Sequence, residues 1–169
     1  MKKINVVISN DKKKAELPRG SRMLVRRCCN AVLQTEKLKD DAVIFVTFTD
    51  DHGLMSVNRA PDANEAIGVV SLPSCENGGS FEDASTGARI LGNVMISLEK
   101  ARSRAEFLGR TVEHEICYLT AHGVLGLLGY ESSHRRDKAR MQDKEELVLS
   151  LLGFPVSMGF MLSRKAERI

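Results

Sequence analysis

Hydrophobic positions run in short β-branched and aromatic stretches through the first half of the chain and take up helical spacing in the second. Ile4-Asn5-Val6-Val7-Ile8 and Ala42-Val43-Ile44-Phe45-Val46-Thr47-Phe48 predict strands over about 3–9 and 42–48. A helix over about 19–36 lies between them, reached through Lys12-Lys13-Lys14-Ala15-Glu16-Leu17-Pro18, and a short helix begins near Asp50-Asp51. Val69 to Leu72 and Leu91 to Ile96 add two strands, separated by a turn-rich loop from Cys75 to Gly87. Ser97 is placed to cap a helix that runs to Leu108. Two more helices follow, over 112–128 and about 134–152. The second is charged, takes Ser132 or Ser133 as its N-cap and stops at Gly153-Phe154-Pro155. Four strands with helices gathered towards the end of the chain give an α+β fold. No repeat or low-complexity linker divides residues 1–169, which read as a single domain.

The 112–128 helix differs from the others. It contains no proline, ends at Gly129, the usual residue for a left-handed C-cap, and is apolar on nearly every side, which predicts that it is buried. Glu115, Leu119, His122 and Gly126 share one of its faces. A lone histidine there is ordinarily a neutral core residue hydrogen-bonded to a neighbour. A metal site needs more donors, and the second belongs at i+4, where two imidazoles project side by side. That position is Gly126, which costs the helix roughly 1 kcal/mol relative to alanine. Glu115 fits two roles: orienting a ligand or handling a proton beside His122, or pairing within the core with an arginine such as Arg59. His114 and Cys117 point away from His122 around the helix. His114-Glu115-Ile116-Cys117-Tyr118 mimics a zincin motif but puts tyrosine at the second ligand position.

The stretch from His122 to Ser132, H-G-V-L-G-L-L-G-Y-E-S, resembles the signature H-G-x-L-H-L-x-G-Y-D-H of the YbeY family of rRNA-maturation metalloproteins, described as single-strand-specific endoribonucleases. Further blocks resemble the family in the same order, from about 43 to 152: L-x-x-V-N at 54–58, V-V-S-L-P at 69–73, L-G-N-V-M-I-S-L-E-K-A at 91–101 and E-H-E-I-C-Y-L-T-A-H at 113–122. The resemblance implies a zinc ion held by three histidines in the spacing H-x3-H-x5-H. Here those positions are His122, Gly126 and Ser132, with Glu131 in place of the family aspartate and Ile67-Gly68 in place of Thr-Asp upstream. The family's functional arginine falls near Pro61 and Asp62, with Arg59 close by. Zinc needs three or four donors, so binding is expected to be weak or absent. His134, two residues beyond the third position, is the candidate substitute ligand, set against a solvated histidine at the start of the next helix. Glu115 and Arg59 are the candidate catalytic residues. On the same resemblance, Gly126→His, Glu131→Asp and Ser132→His together are expected to raise metal affinity.

Composition narrows the partners. No run of about 20 apolar residues is present to span a membrane, and the first residues read as a strand rather than a signal peptide, so a cytoplasmic protein with reduced thiols is expected. Residues 1–30 hold nine basic against two acidic side chains. A face of this kind attracts phosphate backbones. With the family resemblance, Lys12, Lys13, Lys14, Arg22 and Arg26 become candidate RNA contacts, and single-stranded or ribosomal RNA and the small ribosomal subunit become the implied partners. Two functions stay open: a metal-dependent ribonuclease built on a rearranged site, and a non-catalytic RNA- or ribosome-binding protein.

Overall fold

The computed structural model describes residues 2–11, 16–57, 68–75, 80–131 and 133–154. One mixed sheet carries β1 (Ile4–Asn10), β2 (Ala42–Thr49), β3 (Val69–Pro73), β4 (Phe81–Glu82) and β5 (Arg89–Ser97). Its main path runs β1-β2-β5-β3, with β4 pairing β5. β1 and β5 flank β2 in parallel, while β3 and β4 lie antiparallel to β5. The helices are α1 (Ser21–Thr35), α2 (Asp51–Val57), α3 (Leu98–Leu108), α4 (Val112–Leu127) and α5 (Arg135–Leu151). The α+β class expected from the pattern is the class observed.

Differences from that reading have local causes. Among the described residues the sheet has five strands, not four, because β4 forms inside the loop expected to be turns. Its two residues are both exposed, so no buried face marks them in the sequence. The N-cap of α5 is His134, without a side-chain capping bond, rather than Ser133. Ser132 lies outside the described residues. Asp137 reaches back from the first turn of α5 and accepts from the Glu131 amide at 3.1 Å.

Alternation sorts the sheet into two faces. Val6, Ile44, Val46, Phe48, Val94 and Ile96 point to one side and join Val25, Cys28, Cys29, Val32, Ile116, Leu119, Val124 and Leu125 in the main core. On the other face a smaller cluster forms where Leu54 of α2 meets Val70 and Met95. Ser97 ties this side to α3. Its hydroxyl accepts from the Lys100 amide at 3.2 Å, capping the helix as expected, and donates to the Asp51 carboxylate at the start of α2. Helix α4 lies innermost, touching α1, α3, α5, β3 and β5.

Candidate functional site

Local sequence sets both ends of α4. Thr111 Oγ1 accepts from the His114 amide at 3.1 Å at the N-terminus. At the C-terminus Gly129 takes φ 101°, so that its amide reaches the Gly126 carbonyl and the Tyr130 amide reaches that of Leu125. This double bond pattern requires a left-handed residue, which glycine supplies without a Cβ clash. Between these ends most side chains are buried, including His114, Glu115, Thr120 and His122.

Glu115, Tyr118 and His122 stand at i, i+3 and i+7 and so share one face, and they carry a connected polar array. The Glu115 carboxylate is fully buried and lies between two guanidiniums: Arg104 Nε donates to Oε1 at 2.5 Å, and Arg110 Nη2 lies 2.8 Å from Oε2. Both arginines also sit over the Tyr118 ring, 5.7 and 5.4 Å from its centre. Burial raises the Tyr118 phenol above its ordinary pKa. The same ring is tilted against His122, with centroids 6.1 Å apart. His122 Nδ1 and Glu145 Oε1 of α5 are 2.6 Å apart in a buried hydrogen bond. Burial pushes the Glu145 carboxyl above its usual range, and the His122 bond opposes that only in part.

Spacing along the helix places Glu115 and His122 on one face and leaves open which partners they take. The partner of Glu115 is the Arg104–Arg110 pair, contributed by α3 and by the turn between α3 and α4. Arg59 lies outside the described residues, as do Lys12, Lys13 and Lys14. Arg22 and Arg26 are both exposed, one turn apart on α1, and Arg22 Nη1 donates to the Ile8 carbonyl at 3.1 Å. His134 is exposed, and its Nε2 lies 2.7 Å from Glu131 Oε2. His114 stacks on Phe154, centroids 5.0 Å apart. Cys117 belongs to a thiol cluster with Cys28 and Cys29. Burial pushes the Cys29 thiol up to about 12, so at neutral pH it stays a protonated core side chain. Glu145 is a site residue that the sequence pattern did not single out. Its signal was available, since a glutamate interrupts the stripe of Met141, Val148 and Leu149 on the buried face of α5.

The zinc set implied by the resemblance falls on His122, Gly126 and Ser132. Gly126 offers no side-chain donor, and among the described residues no group of three or more His, Cys, Asp or Glu side chains could hold a metal ion. The residues present do not fit a three-ligand zinc centre.

Residues 7–153 match the family described as Endoribonuclease YbeY. An Endoribonuclease YbeY of Caldanaerobacter subterraneus subsp. tengcongensis is 33% identical over 160 residues, spanning 89% of this chain and 98% of the relative. Another, from Clostridium botulinum strain 657, is 30% identical over 158 residues, covering 85% and 95%. In fold the chain resembles the solution structure of TM1509 from Thermotoga maritima, with a TM-score of 0.50 at 14% identity over 87% of this chain and 91% of that one.

Two outcomes follow from the polar array. Glu115→Ala leaves two guanidiniums facing a buried gap, and the expected cost is about 3–5 kcal/mol, read from urea unfolding. For His114, burial first and then the Arg110 charge hold the pKa below the ordinary histidine value, against the pull of Glu115. The unfolded imidazole takes up its proton near pH 6.5 and the folded one only at lower pH. Its contribution is therefore present above about pH 6.5 and lost as pH falls through the folded pKa. Urea midpoints for His114→Gln should decline less over that window than those of the parent.

Proposed function

Because the chain belongs to the endoribonuclease YbeY family, we propose that it acts in the cytoplasm on single-stranded RNA during rRNA maturation, at the small ribosomal subunit, with metal-dependent cleavage impaired. The observation that supports the impairment is the donor set on and after α4: of the three positions that carry histidine in the family signature, only His122 keeps an imidazole. A catalytic zinc takes three protein ligands and a water, and supplies a hydroxide near neutral pH only when so held. One imidazole falls short of that.

The residues that remain support a binding role. Arg22 and Arg26 present two cations from one exposed face of α1, and Lys12, Lys13 and Lys14 precede that helix in the sequence. Such cations position a phosphate backbone without reading its sequence. Glu115, clasped by Arg104 and Arg110, is on this reading the charge that joins α3 to α4 rather than a proton carrier, and His122 is a core histidine engaged by Glu145. Taken to its limit, the reading becomes a non-catalytic RNA- or ribosome-binding protein.

The test measures binding, metal and cleavage on one preparation. After dialysis against a weak chelator, elemental analysis should find well under one zinc per chain. Affinity for single-stranded RNA should fall steeply with salt, and Arg22→Ala with Arg26→Ala should lower the slope of log affinity against log salt by about 1.4, roughly 0.7 for each phosphate of a single strand that is no longer neutralised. Retained stoichiometric zinc with strong zinc-dependent cleavage would overturn the impairment, and loss of that zinc in His134→Ala would identify His134 as the recruited ligand. RNA binding that is absent at low salt would overturn the RNA role.

A further inference from the structure

We infer that the second metal-ligand position has been taken over by helix–strand packing: Gly126 is the point where α4 rests on β3, and returning a histidine there does not by itself rebuild a metal site. A Cβ built on Gly126 lies 2.4 Å from Ser71 Oγ and 2.9 Å from Ser71 Cβ. Rotating Ser71 moves its oxygen but not its Cβ, so a side chain at 126 requires α4 and β3 to separate. Ser71 is also engaged, since its hydroxyl donates to the Gly123 carbonyl at 2.7 Å. One turn earlier Gly123 makes the same approach to the sheet, where its Cβ would lie 2.3 Å from Val94 Cγ1 of β5 and 3.1 Å from Val69 Cγ2 of β3.

The pair therefore works as one device. Two glycines at i and i+3 form a flat strip on α4, and the strip lies against neighbouring strands, with Ser71 opposite Val94 in the β3–β5 register. Neither partner is free to withdraw. β3 is hydrogen-bonded to β5, and α4 is confined by α1, α3 and α5. Close packing transmits such a displacement instead of absorbing it. The helix penalty of Gly126 thus has a physical counterpart in the close approach it allows. This inference deepens the reading of an impaired metal site.

Two measurements test it separately from that reading. The first is thermal unfolding of Gly126→Ala in the parent and in a Ser71→Gly background. Alanine for glycine in the middle of a helix normally raises stability. Here it should lower Tm by about 4 °C or more in the parent, and leave Tm unchanged or higher where Ser71 is glycine. A Gly126→Ala chain that folds only in the Ser71→Gly background gives the same answer more strongly. A rise in Tm in the parent would overturn the inference.

The second is a Co2+ titration followed by d–d absorption, comparing Gly126→His Ser132→His with the same pair plus Ser71→Gly. The triple variant should take the ion about tenfold more tightly, the coupling expected between residues in contact. Equal affinities would overturn the inference. Tight stoichiometric Co2+ binding by the unmodified chain would instead defeat the impaired-site reading, and the unfolding comparison would still decide the packing claim.

Discussion

Helix α4 is buried along most of its length, and the rest of the molecule is arranged around that constraint. Strands β3 and β5 cover one side, α1 a second, and α3 and α5 the remainder. A helix in this position can keep polar side chains only where each finds a partner, because an unmatched buried polar group costs several kcal/mol. Apart from Thr120, which bonds within α4, the partners come from different elements in turn. Thr120 donates back to the Ile116 carbonyl at 2.7 Å, Cys28 of α1 donates to the Cys117 carbonyl at 3.3 Å, Arg104 of α3 reaches Glu115, and Glu145 of α5 meets His122. Each contact also fixes the element that supplies it, so satisfying α4 and assembling the domain are the same process.

Among these contacts the charged ones matter most for what the face can do chemically. Glu115 sits between two cations that share the Tyr118 ring, which ties carboxylate, guanidiniums and ring into one unit. Glu145 is in the opposite situation. Buried against a histidine, it resists ionisation, and its position on the inner face of α5 is explained by the His122 bond rather than by solvation.

Periodicity made the scaffold legible. Among the described residues, strands β1, β2, β3 and β5 and the five helices follow from β-branched runs, caps and helical spacing, and the burial of α4 follows from its lack of a polar face. β4 escaped because two exposed residues carry no pattern. The site was legible only in part, for a different reason. Position along a helix tells which side chains share a face, so Glu115 and His122 could be grouped. It does not tell what another element brings to that face, so Arg104, Arg110 and Glu145 could not be assigned from spacing alone. Gly126 was anomalous as a helix residue, and the reason lies in Ser71, 55 positions earlier in the sequence and across the helix–sheet interface.

That helix–sheet approach bears on how a domain can keep its shape while the chemistry of one helix end changes. The segment after α4 must be anchored by something, and here protein groups do it. The Gly129 turn closes the helix, Tyr130 donates to Glu36, the C-cap of α1, at 2.9 Å while Lys144 of α5 pairs with the same glutamate, Arg140 covers the Tyr130 ring, and Asp137 holds the Glu131 amide. These bonds join α1, the 129–131 turn and α5 through Glu36, Tyr130, Asp137, Arg140 and Lys144. At position 126, glycine is the residue that lets the helix settle onto the sheet. Strong resemblance along the chain thus coexists with a signature in which, of the three histidine positions, only His122 keeps an imidazole.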